Sequence, residues 1–350
     1  MKALEKQRDD KSTLRQASPS ARLLCAISGR DRKLFLGCHE QRLESLPVET
    51  IGVEDPETID AAALQEIRPE IILTGWSSRP LPPDWLASSD CPLRYVCHLA
   101  GSVKALVPRQ FIGRGGLVSN WGELAADSVA EHGLLLALAA LRNLAGWEAA
   151  IEQCGGRHSI ALRTRTLFHQ PVGIHGFGAV ARSLIKLLRP FGSQIRVYSA
   201  GVPEATILKE GVEACDSLEG LFAKSHVLFE CEGLISKSEN SVRAEILAAL
   251  PDGAVFVNIA RGRLVDEAAL LREAAQGRIR IALDVVRDEP LTKDSPLYQV
   301  PGAIFSPHIG GPTSDLYPRF GNFALNNIER YLYGEKPLAL VTPEIYDRST

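Results

Sequence analysis

The stretch VGIHGFGAVAR, residues 172–182, decides the fold of this chain. An apolar run leads into Gly176, Gly178 and Ala181, which are spaced as G-x-G-x-x-A, and apolar residues then recur at helical spacing. This pattern predicts a strand, a tight turn and a helix. The first glycine permits the turn, the second admits a pyrophosphate, and the small third residue lets helix and strand pack closely. Free N–H groups at the helix N-terminus would face the phosphates, so the stretch predicts dinucleotide binding.

Composition narrows the class of protein. The chain has 350 residues, which is enough for about two domains with their own cores. Its net charge of −3 and its 45% hydrophobic content are typical of a soluble globular protein, and no surface for nucleic acid is expected. The apolar run at 133–141 is shorter than the ~20 residues of a membrane span. Residues 1–20 are charged and lack the apolar core of a secretory signal, so we expect a disordered lead-in and a cytoplasmic protein.

The cysteines give no sign of a metal site or a disulfide framework. The chain has 7 cysteines without a C-x-x-C pair, and no His/Cys cluster has the spacing of zinc ligands. Reduced thiols packed as small apolar residues are the simplest interpretation. We therefore expect no metal.

Short apolar runs alternate with helical stretches, which predicts an α/β fold with parallel, doubly wound sheets. A first domain, residues 21–122, contains predicted strands at 22–27, 50–53, 71–74, 95–99 and 117–119. A second domain, residues 123–313, contains six more, at 172–175, 195–199, 227–230, 254–259, 279–285 and 303–306. Residues 314–350 include an amphipathic stretch that we expect to return to the first domain.

Two segments between these series differ in character. Residues 127–144 form the longest helical pattern, and its apolar face predicts burial between domains or at a subunit interface. Residues 145–170 are irregular and partly basic, and we interpret them as a surface loop.

Three strand ends in the second domain carry residues that suit catalysis. Arg261, Glu289 and His308 follow successive predicted strands, and ligands bind beyond the carboxyl ends of such strands. A ketone that accepts a hydride becomes an alkoxide and needs a proton. His308 can donate it if a carboxylate such as Glu289 stabilises the protonated imidazole. The planar fork of Arg261 can polarise a carbonyl and hold a carboxylate, which indicates a 2-oxo or 2-hydroxy acid.

At these residues the chain resembles the D-isomer-specific 2-hydroxyacid dehydrogenase family. The matching motifs follow the family order over about residues 90–340: SVAEHGLLLALAALR, VGIHGFGAVAR, NIARGRLVDEAAL, ALDVVRDEPL, SPHIGGPT and NIERYLYGEKPL. The resemblance implies two Rossmann-like domains, with a nucleotide-binding domain inserted into a split, flavodoxin-like substrate domain and the active site in the cleft. It also implies hydride transfer between NAD or NADP and a 2-oxo or D-2-hydroxy acid, in a homodimer formed through the nucleotide-binding domain.

The resemblance assigns roles residue by residue. Arg261 matches the substrate arginine, Glu289 the glutamate that tunes the histidine, and His308 the acid–base. The family holds the substrate carboxylate with backbone N–H groups of a glycine-containing loop, here HLAGSVK, so that Gly101 and Ser102 are the candidates. The implied cofactor-binding positions are Gly176, Phe177, Gly178, Ala179, Val180, Ser199, Cys231, Ile259, Ala260, Asp284, His308 and Gly310.

The chain departs from the family around the ribose. Ser199 stands where an acidic residue usually binds the adenosine ribose, and no Lys or Arg immediately follows it. Cofactor preference is therefore open. The lost carboxylate would have repelled a 2′-phosphate, which favours NADP. Glu230 or Glu232 could compensate by binding a ribose hydroxyl, and the alternative is a solvated carboxylate.

The substrate side of the chain also departs from the family. Lys104 replaces an acid found in many members, and Trp76 stands at a substrate-proximal position. Trp76 is either structural or shapes a pocket for an apolar or bulky substituent. A second hypothesis for the whole protein is a nucleotide-sensing, corepressor-like interaction protein on the same fold, as some relatives are.

Overall fold

A computed structural model describes residues 21–155 and 162–348 of the chain. These residues form two compact units, one containing 21–122 with Ser314–Asp347 and the other containing Glu123–Thr313 with Arg348. The predicted lead-in at 1–20 lies outside the described residues, as does part of the predicted loop at 145–170.

Every strand in the two sheets runs parallel to its neighbours. The strands are β1 (Arg22–Ala26), β2 (Glu49–Gly52), β3 (Ile71–Thr74), β4 (Tyr95–His98), β5 (Leu117–Ser119), β6 (Pro171–His175), β7 (Gln194–Tyr198), β8 (Glu213–Ala214), β9 (Val227–Glu230), β10 (Val255–Asn258), β11 (Arg280–Leu283) and β12 (Ile304–Phe305). The first unit holds a 5-stranded sheet in the order β2-β1-β3-β4-β5. The second unit holds a 7-stranded sheet in the order β12-β11-β10-β9-β6-β7-β8.

Helices connect the strands. They are α1 (Gly29–Leu36), α2 (Glu40–Glu44), α3 (Ala61–Ile67), α4 (Pro83–Ala87), α5 (Arg109–Gly113), α6 (Ala126–Leu141), α7 (Trp147–Cys154), α8 (Ala179–Leu188), α9 (Glu204–Leu208), α10 (Leu218–Ala223), α11 (Ala244–Ala248), α12 (Glu267–Ala275), α13 (Tyr317–Leu332) and α14 (Pro343–Arg348). The strand orders reverse beside β1 and beside β6, because later strands add on both sides of each. The chain therefore has the predicted doubly wound α/β architecture, with ligand crevices expected at these reversals.

Both faces of the larger sheet are covered. Val255 and Val257 of β10 pack into one apolar cluster with residues of α6 and α8, whereas Phe256 packs into a second cluster with residues of α10, α11 and α12. This alternation follows from the two-residue period of a strand, which points successive side chains to opposite faces. The strand ends are thus the part of this sheet left for binding.

The C-terminal helix α13 completes the first unit. A Cβ on Gly321 of α13 would lie 1.8 Å from the carbonyl oxygen of Phe35 at the end of α1, so the two backbones approach closely. Phe320, Ala324 and Leu325 of the same helix are buried. The amphipathic pattern after position 314 therefore packs on the domain that begins the chain.

Two local elements differ from the sequence prediction. The predicted loop at 145–170 begins with a helix, α7, because the apolar side chains of Trp147, Ala150 and Ile151 recur at helical spacing and Gly155 ends the helix in a left-handed conformation. The second sheet has a seventh strand, β8, whose two residues are too few to show an alternating pattern.

In the described parts of the chain, no single helix combines the length and the apolar character needed to span a membrane. Two consecutive helical segments, Ala126–Leu141 and Leu144–Gln153, are together long and apolar enough by length and composition alone, but they are bent by 47° relative to each other.

Candidate active site

Glu289 and His308 form a hydrogen-bonded pair at the edge of the larger sheet. Nδ1 of His308 donates to Oε2 of Glu289 over 2.7 Å, and Oε1 of the same carboxylate accepts the N–H of Val286 at 3.2 Å. His308 adopts a left-handed backbone with φ of 54°, held by bonds from its N–H to the carbonyls of Asp284 and Ser306. The pair therefore orients an imidazole whose side chain is still 48% exposed.

Asp284, at the end of β11, anchors the loop after β12. Its carboxylate accepts the N–H groups of Ile309 and Gly310, both at 2.9 Å, and the hydroxyl of Ser306 at 2.6 Å. Burial works against the charged form, but the hydrogen bonds from His132, Ser306 and the two N–H groups outweigh it and lower the pKa of Asp284 to about 2. The carboxylate stays ionised and fixes the backbone beside the histidine.

Arg261 is carried by the loop after β10. A Cβ on Gly262 would lie 1.9 Å from the carbonyl carbon of Val286, so only glycine allows this loop to approach the loop after β11. Nδ2 of Asn258 donates to the carbonyl of Arg261 at 3.1 Å and holds the turn. Burial lowers the pKa of the Arg261 guanidinium, and the charge of Glu289 opposes that shift. The arrangement places a partly desolvated cation near the Glu289 carboxylate.

The glycine turn has the geometry that a pyrophosphate requires. Gly176 has φ of 98°. Gly178 is the N-cap residue of α8, and no described side chain accepts a hydrogen bond from the first N–H groups of that helix. A Cβ on Gly178 would meet no atom of the described residues within 4 Å, so the helix N-terminus opens onto free space. Backbone N–H donors with open space fit the phosphates of a dinucleotide. Phe177, Ala179 and Val180 are half-buried around this turn.

The side chains at the ends of β7 and β9 form a connected polar group. The Ser199 hydroxyl donates to Oε2 of Glu232 at 2.8 Å. Glu230 is fully buried and accepts a 2.7 Å hydrogen bond from Nδ1 of His175, so the interpretation of Glu230 as a solvated carboxylate is wrong. Cys231 lies between the two glutamates, and its N–H donates to the carbonyl of His175.

The substrate-side candidates lie in the first unit, at the carboxyl edge of its sheet. Trp76 follows β3 and is 51% exposed, while its ring packs against Phe35, Trp121 and Tyr317. Gly101 follows β4, and a Cβ there would lie 2.9 Å from the Trp121 ring. The aromatic cluster therefore adjoins the predicted carboxylate loop.

The remaining candidates fall at the predicted strand ends. Ser102 is exposed in the loop after β4, and Ile259 and Ala260 are buried at the end of β10. The structure brings Arg261, Glu289, His308 and Asp284 together within the second unit. Trp76, Gly101 and Ser102 belong to the other unit and form a separate group.

His132 contacts the polar group around Asp284, although the sequence did not single it out. Its Nε2 lies 2.8 Å from the Ser306 hydroxyl and 3.2 Å from Oδ1 of Asp284. His132 lies in the SVAEHGLLL motif of α6. That motif predicts a helix, but it does not predict that the histidine contacts polar side chains. Among the described residues, no group of three or more His, Cys, Asp or Glu side chains is arranged to hold a metal ion.

Comparison with known proteins follows the same division of the chain. Residues 134–310 match the family model for the D-isomer specific 2-hydroxyacid dehydrogenase NAD-binding domain. A D-3-phosphoglycerate dehydrogenase of Mycobacterium tuberculosis is 34% identical over 230 residues, which cover 63% of this chain but only 42% of that protein. The chain thus spans about two fifths of that relative's length.

Two further proteins match over more of their own length. A glyoxylate reductase of Thermococcus kodakarensis is 30% identical over 263 residues, covering 72% of this chain and 78% of that protein. The crystal structure of a glyoxylate reductase from Paecilomyes thermophila superposes with a TM-score of 0.77 at 22% identity, covering 93% and 100% of the two chains. That likeness concerns the fold. Together with the family model, the Thermococcus relative shows that the chain belongs to the D-isomer specific 2-hydroxyacid dehydrogenase family.

Proposed function

We propose that this protein is an NAD(P)-dependent oxidoreductase that interconverts a 2-oxo acid and a D-2-hydroxy acid. The observation that carries the proposal is the Glu289–His308 hydrogen bond of 2.7 Å, with the partly desolvated Arg261 on the neighbouring loop. An acid–base group beside an anion-binding cation is what reduction of a charged 2-oxo acid requires.

The residues divide the work of the reaction. When bound, the nicotinamide ring supplies or accepts the hydride. His308 holds Nδ1 against Glu289, so Nε2 is the nitrogen that gives a proton to the substrate oxygen during reduction and takes it back during oxidation. The Glu289 carboxylate stabilises the imidazolium before transfer. Arg261 polarises the carbonyl and pairs with the substrate carboxylate through its planar fork.

The pyrophosphate of the nucleotide would lie on the glycine turn at Gly176 and Gly178, against the N-terminus of α8. Asp284, which the resemblance implies as a cofactor-binding position, uses its carboxylate to hold the loop after β12. We therefore assign Asp284 the task of positioning His308, and any contact with the nicotinamide adds to that task.

The relatives' names support this activity and its substrate class. They include a glyoxylate reductase and a D-3-phosphoglycerate dehydrogenase, both of which act on small 2-oxo or 2-hydroxy acids by name. Nothing in these comparisons supports the corepressor-like hypothesis. The exposed face of Trp76, whose ring packs on the Trp121 ring next to Gly101, suits a substrate with an apolar substituent, since aromatic rings bury apolar area and keep their shape.

A homodimer and a cytoplasmic location complete the proposal. Leu135 of α6 and Trp147 and Ile151 of α7 are apolar and largely exposed within the single chain. Such residues are typical of an interface, and sedimentation velocity of the purified chain would measure its mass directly. Six of the seven cysteines, those whose side chains the structure describes, are free thiols, which is typical of a reducing compartment.

A panel of 2-oxo acids assayed with NADH and with NADPH tests the activity. The panel includes glyoxylate, hydroxypyruvate, and aliphatic and aromatic 2-oxo acids. We expect turnover of at least one acid, with His308→Ala losing most of the rate and Arg261→Ala losing both rate and substrate binding. Absence of turnover at high enzyme concentration, with nucleotide shown to bind, would contradict the proposal.

A further inference from the structure

The adenosine-ribose region of the second unit contains a carboxylate that reaches it from an unusual strand. In dinucleotide-binding folds, an acidic residue about 20 positions after the glycine turn binds the ribose 2′-hydroxyl. Ser199 stands at that place, at the end of β7, and cannot supply the charge. Its hydroxyl instead donates to Oε2 of Glu232, at 2.8 Å, from beyond the end of β9.

Strand order explains how Glu232 arrives there. In the larger sheet β7 and β9 lie on either side of β6, so their carboxyl ends flank the glycine turn. A Cβ on Gly176 would lie 2.6 Å from the backbone nitrogen of Glu232, which shows how closely the turn and this residue approach. Glu232 therefore lies between the pyrophosphate turn and the position that normally holds the ribose acid.

The two neighbouring glutamates have different tasks. Glu230 is fully buried, and its carboxylate oxygens accept from Nδ1 of His175 at 2.7 Å and from the N–H of Glu232 at 3.0 Å. Burial alone would lower the pKa of His175, but the charges of Glu230 and Glu232 outweigh it and raise that pKa. The Glu230 carboxylate is thus occupied by His175, whereas the Glu232 carboxylate accepts hydrogen bonds from two neutral groups, the Ser199 hydroxyl and the N–H of Gly233.

The Glu232 carboxylate is only partly buried and is held in place by hydrogen bonds. Oε1 accepts the N–H of Gly233 at 2.9 Å and Oε2 accepts the Ser199 hydroxyl. Each carboxylate oxygen can accept more than one hydrogen bond, so capacity for a ribose hydroxyl remains. Residues 199–203 contain no Lys or Arg that could bind a 2′-phosphate.

We propose that Glu232, oriented by Ser199, replaces the missing ribose acid and makes the site selective for NAD over NADP. The carboxylate accepts the hydroxyl of an unmodified ribose and repels the added negative charge of a 2′-phosphate. The preference for NADP suggested by the loss of the acid at Ser199 is thereby reversed. This inference rests on the proposed function, since it assumes that the glycine turn binds a nicotinamide dinucleotide.

Direct binding tests the inference without relying on turnover. Dissociation constants of NADH and NADPH are measured for the full chain by fluorescence titration, and that of ADP-ribose by calorimetry. We expect NADH to bind at least tenfold more tightly than NADPH. Glu232→Gln should reduce that ratio at least tenfold and weaken ADP-ribose binding, while Ser199→Ala should cause a smaller change in the same direction.

Two further variants control the experiment. Glu219→Gln removes the same charge from an exposed position on α10 and should leave the ratio unchanged. The double variant Ser199→Asp with Glu232→Gln returns the carboxylate to β7 and should restore the preference for NADH. Each variant is first compared with the parent by thermal melting, and the parent's own ratio tests the inference if a variant fails to fold.

The outcomes separate this inference from the proposed function. NADPH binding as tight as NADH binding in the parent, or a ratio unchanged in Glu232→Gln, overturns the role of Glu232 even if 2-oxo acids are turned over. Selective NADH binding that Glu232→Gln reduces, without turnover of any 2-oxo acid, overturns the proposed function and supports the role of Glu232.

Discussion

Nδ1 of His308 lies 2.7 Å from Oε2 of Glu289, although 19 positions separate the two residues in the chain. They meet because each follows the end of one of two neighbouring parallel strands, β11 and β12. The contact fixes both the orientation of the ring and the nitrogen that faces the carboxylate. Under the proposed function, proton transfer therefore depends on two loops held in register by the sheet.

Replacing Glu289 by Gln tests that dependence. The amide oxygen can still accept the hydrogen bond, but the charge that stabilises the imidazolium is lost. We expect kcat for 2-oxo acid reduction to fall about 10- to 100-fold, less than the roughly 10²–10⁴-fold supplied by a complete acid–base group. Nucleotide affinity, measured by fluorescence titration, should stay the same.

The neighbouring carboxylate gives a matched control for this variant. Asp288 is exposed, and Asp288→Asn removes one charge at the adjacent position. Its kcat should match that of the parent. An equal fall in kcat in the two variants would mean that the overall negative charge of the loop, and not the contact of Glu289 with His308, supports catalysis.

Arg261→Lys separates charge from shape. Lysine keeps the positive charge but loses the planar fork that can hold a carboxylate and a carbonyl together. We expect kcat/KM to fall by about 100-fold or more, as for removal of one preorganised donor at a reacting oxygen. Arg263→Lys, two positions away on an exposed side chain paired with Glu239, should leave kcat/KM unchanged. Retention of parental kcat/KM by Arg261→Lys would exclude bidentate binding.

Gly178→Ala should impair nucleotide binding without impairing folding. The added Cβ meets no described atom within 4 Å, and the backbone is not left-handed at this position. It does occupy the space through which a pyrophosphate must approach the N–H groups of α8. We expect an unchanged melting temperature and an NADH dissociation constant raised at least tenfold, about 1.4 kcal/mol.

Gly113→Ala, which also meets no described neighbour, serves as the control for a methyl group added in the first unit. Both its melting temperature and its NADH affinity should equal those of the parent. Parental affinity in Gly178→Ala would mean that the phosphates do not contact this part of the turn.

Local patterns predicted most of the strands and the residues at their ends. Helix α8 (Ala179–Leu188) is the helix predicted after the glycine turn, because its apolar spacing and its glycine cap both lie within one short stretch. Arg261, Glu289 and His308 could be placed together because parallel strands bring their carboxyl ends to one edge.

Contacts that depend on strand order could not be predicted in the same way. The Ser199–Glu232 hydrogen bond joins positions 33 apart, and it follows from β7 and β9 lying on either side of β6. The contact between His132 and Ser306 joins positions 174 apart and depends on how α6 packs on the sheet. Neither pairing has a local signal, since each residue alone has the character of an ordinary polar side chain.

The stability of the protein should fall in mild acid because of His98, at the end of β4. His98 is buried and its Nδ1 lies 3.0 Å from the Thr74 hydroxyl. Burial lowers its pKa from 6.5 to about 4, and a hydrogen bond with the Ser102 backbone and the charge of Asp31 only partly oppose this shift. The folded state therefore favours the neutral ring, and the unfolded state takes up the proton first.

The direction of the pH dependence follows from that difference. The contribution of the neutral His98 ring to the free energy of unfolding is fully present above pH 6.5, and it declines as the pH falls towards 4. Over that window the free energy of unfolding should drop by roughly 3 kcal/mol from this residue alone. Urea unfolding of the parent and of His98→Gln at a series of pH values measures it. The variant is expected to be less stable at pH 7 but to show a flatter dependence below pH 6.5.

An exposed histidine supplies the control for this series. His169→Gln changes a ring at the surface of the second unit and should give a curve parallel to that of the parent. The difference between the parent and His98→Gln should shrink as the pH falls, because acid removes the advantage of the neutral buried ring. Parallel curves for the parent and His98→Gln would show that this histidine does not take up its proton on unfolding in that window.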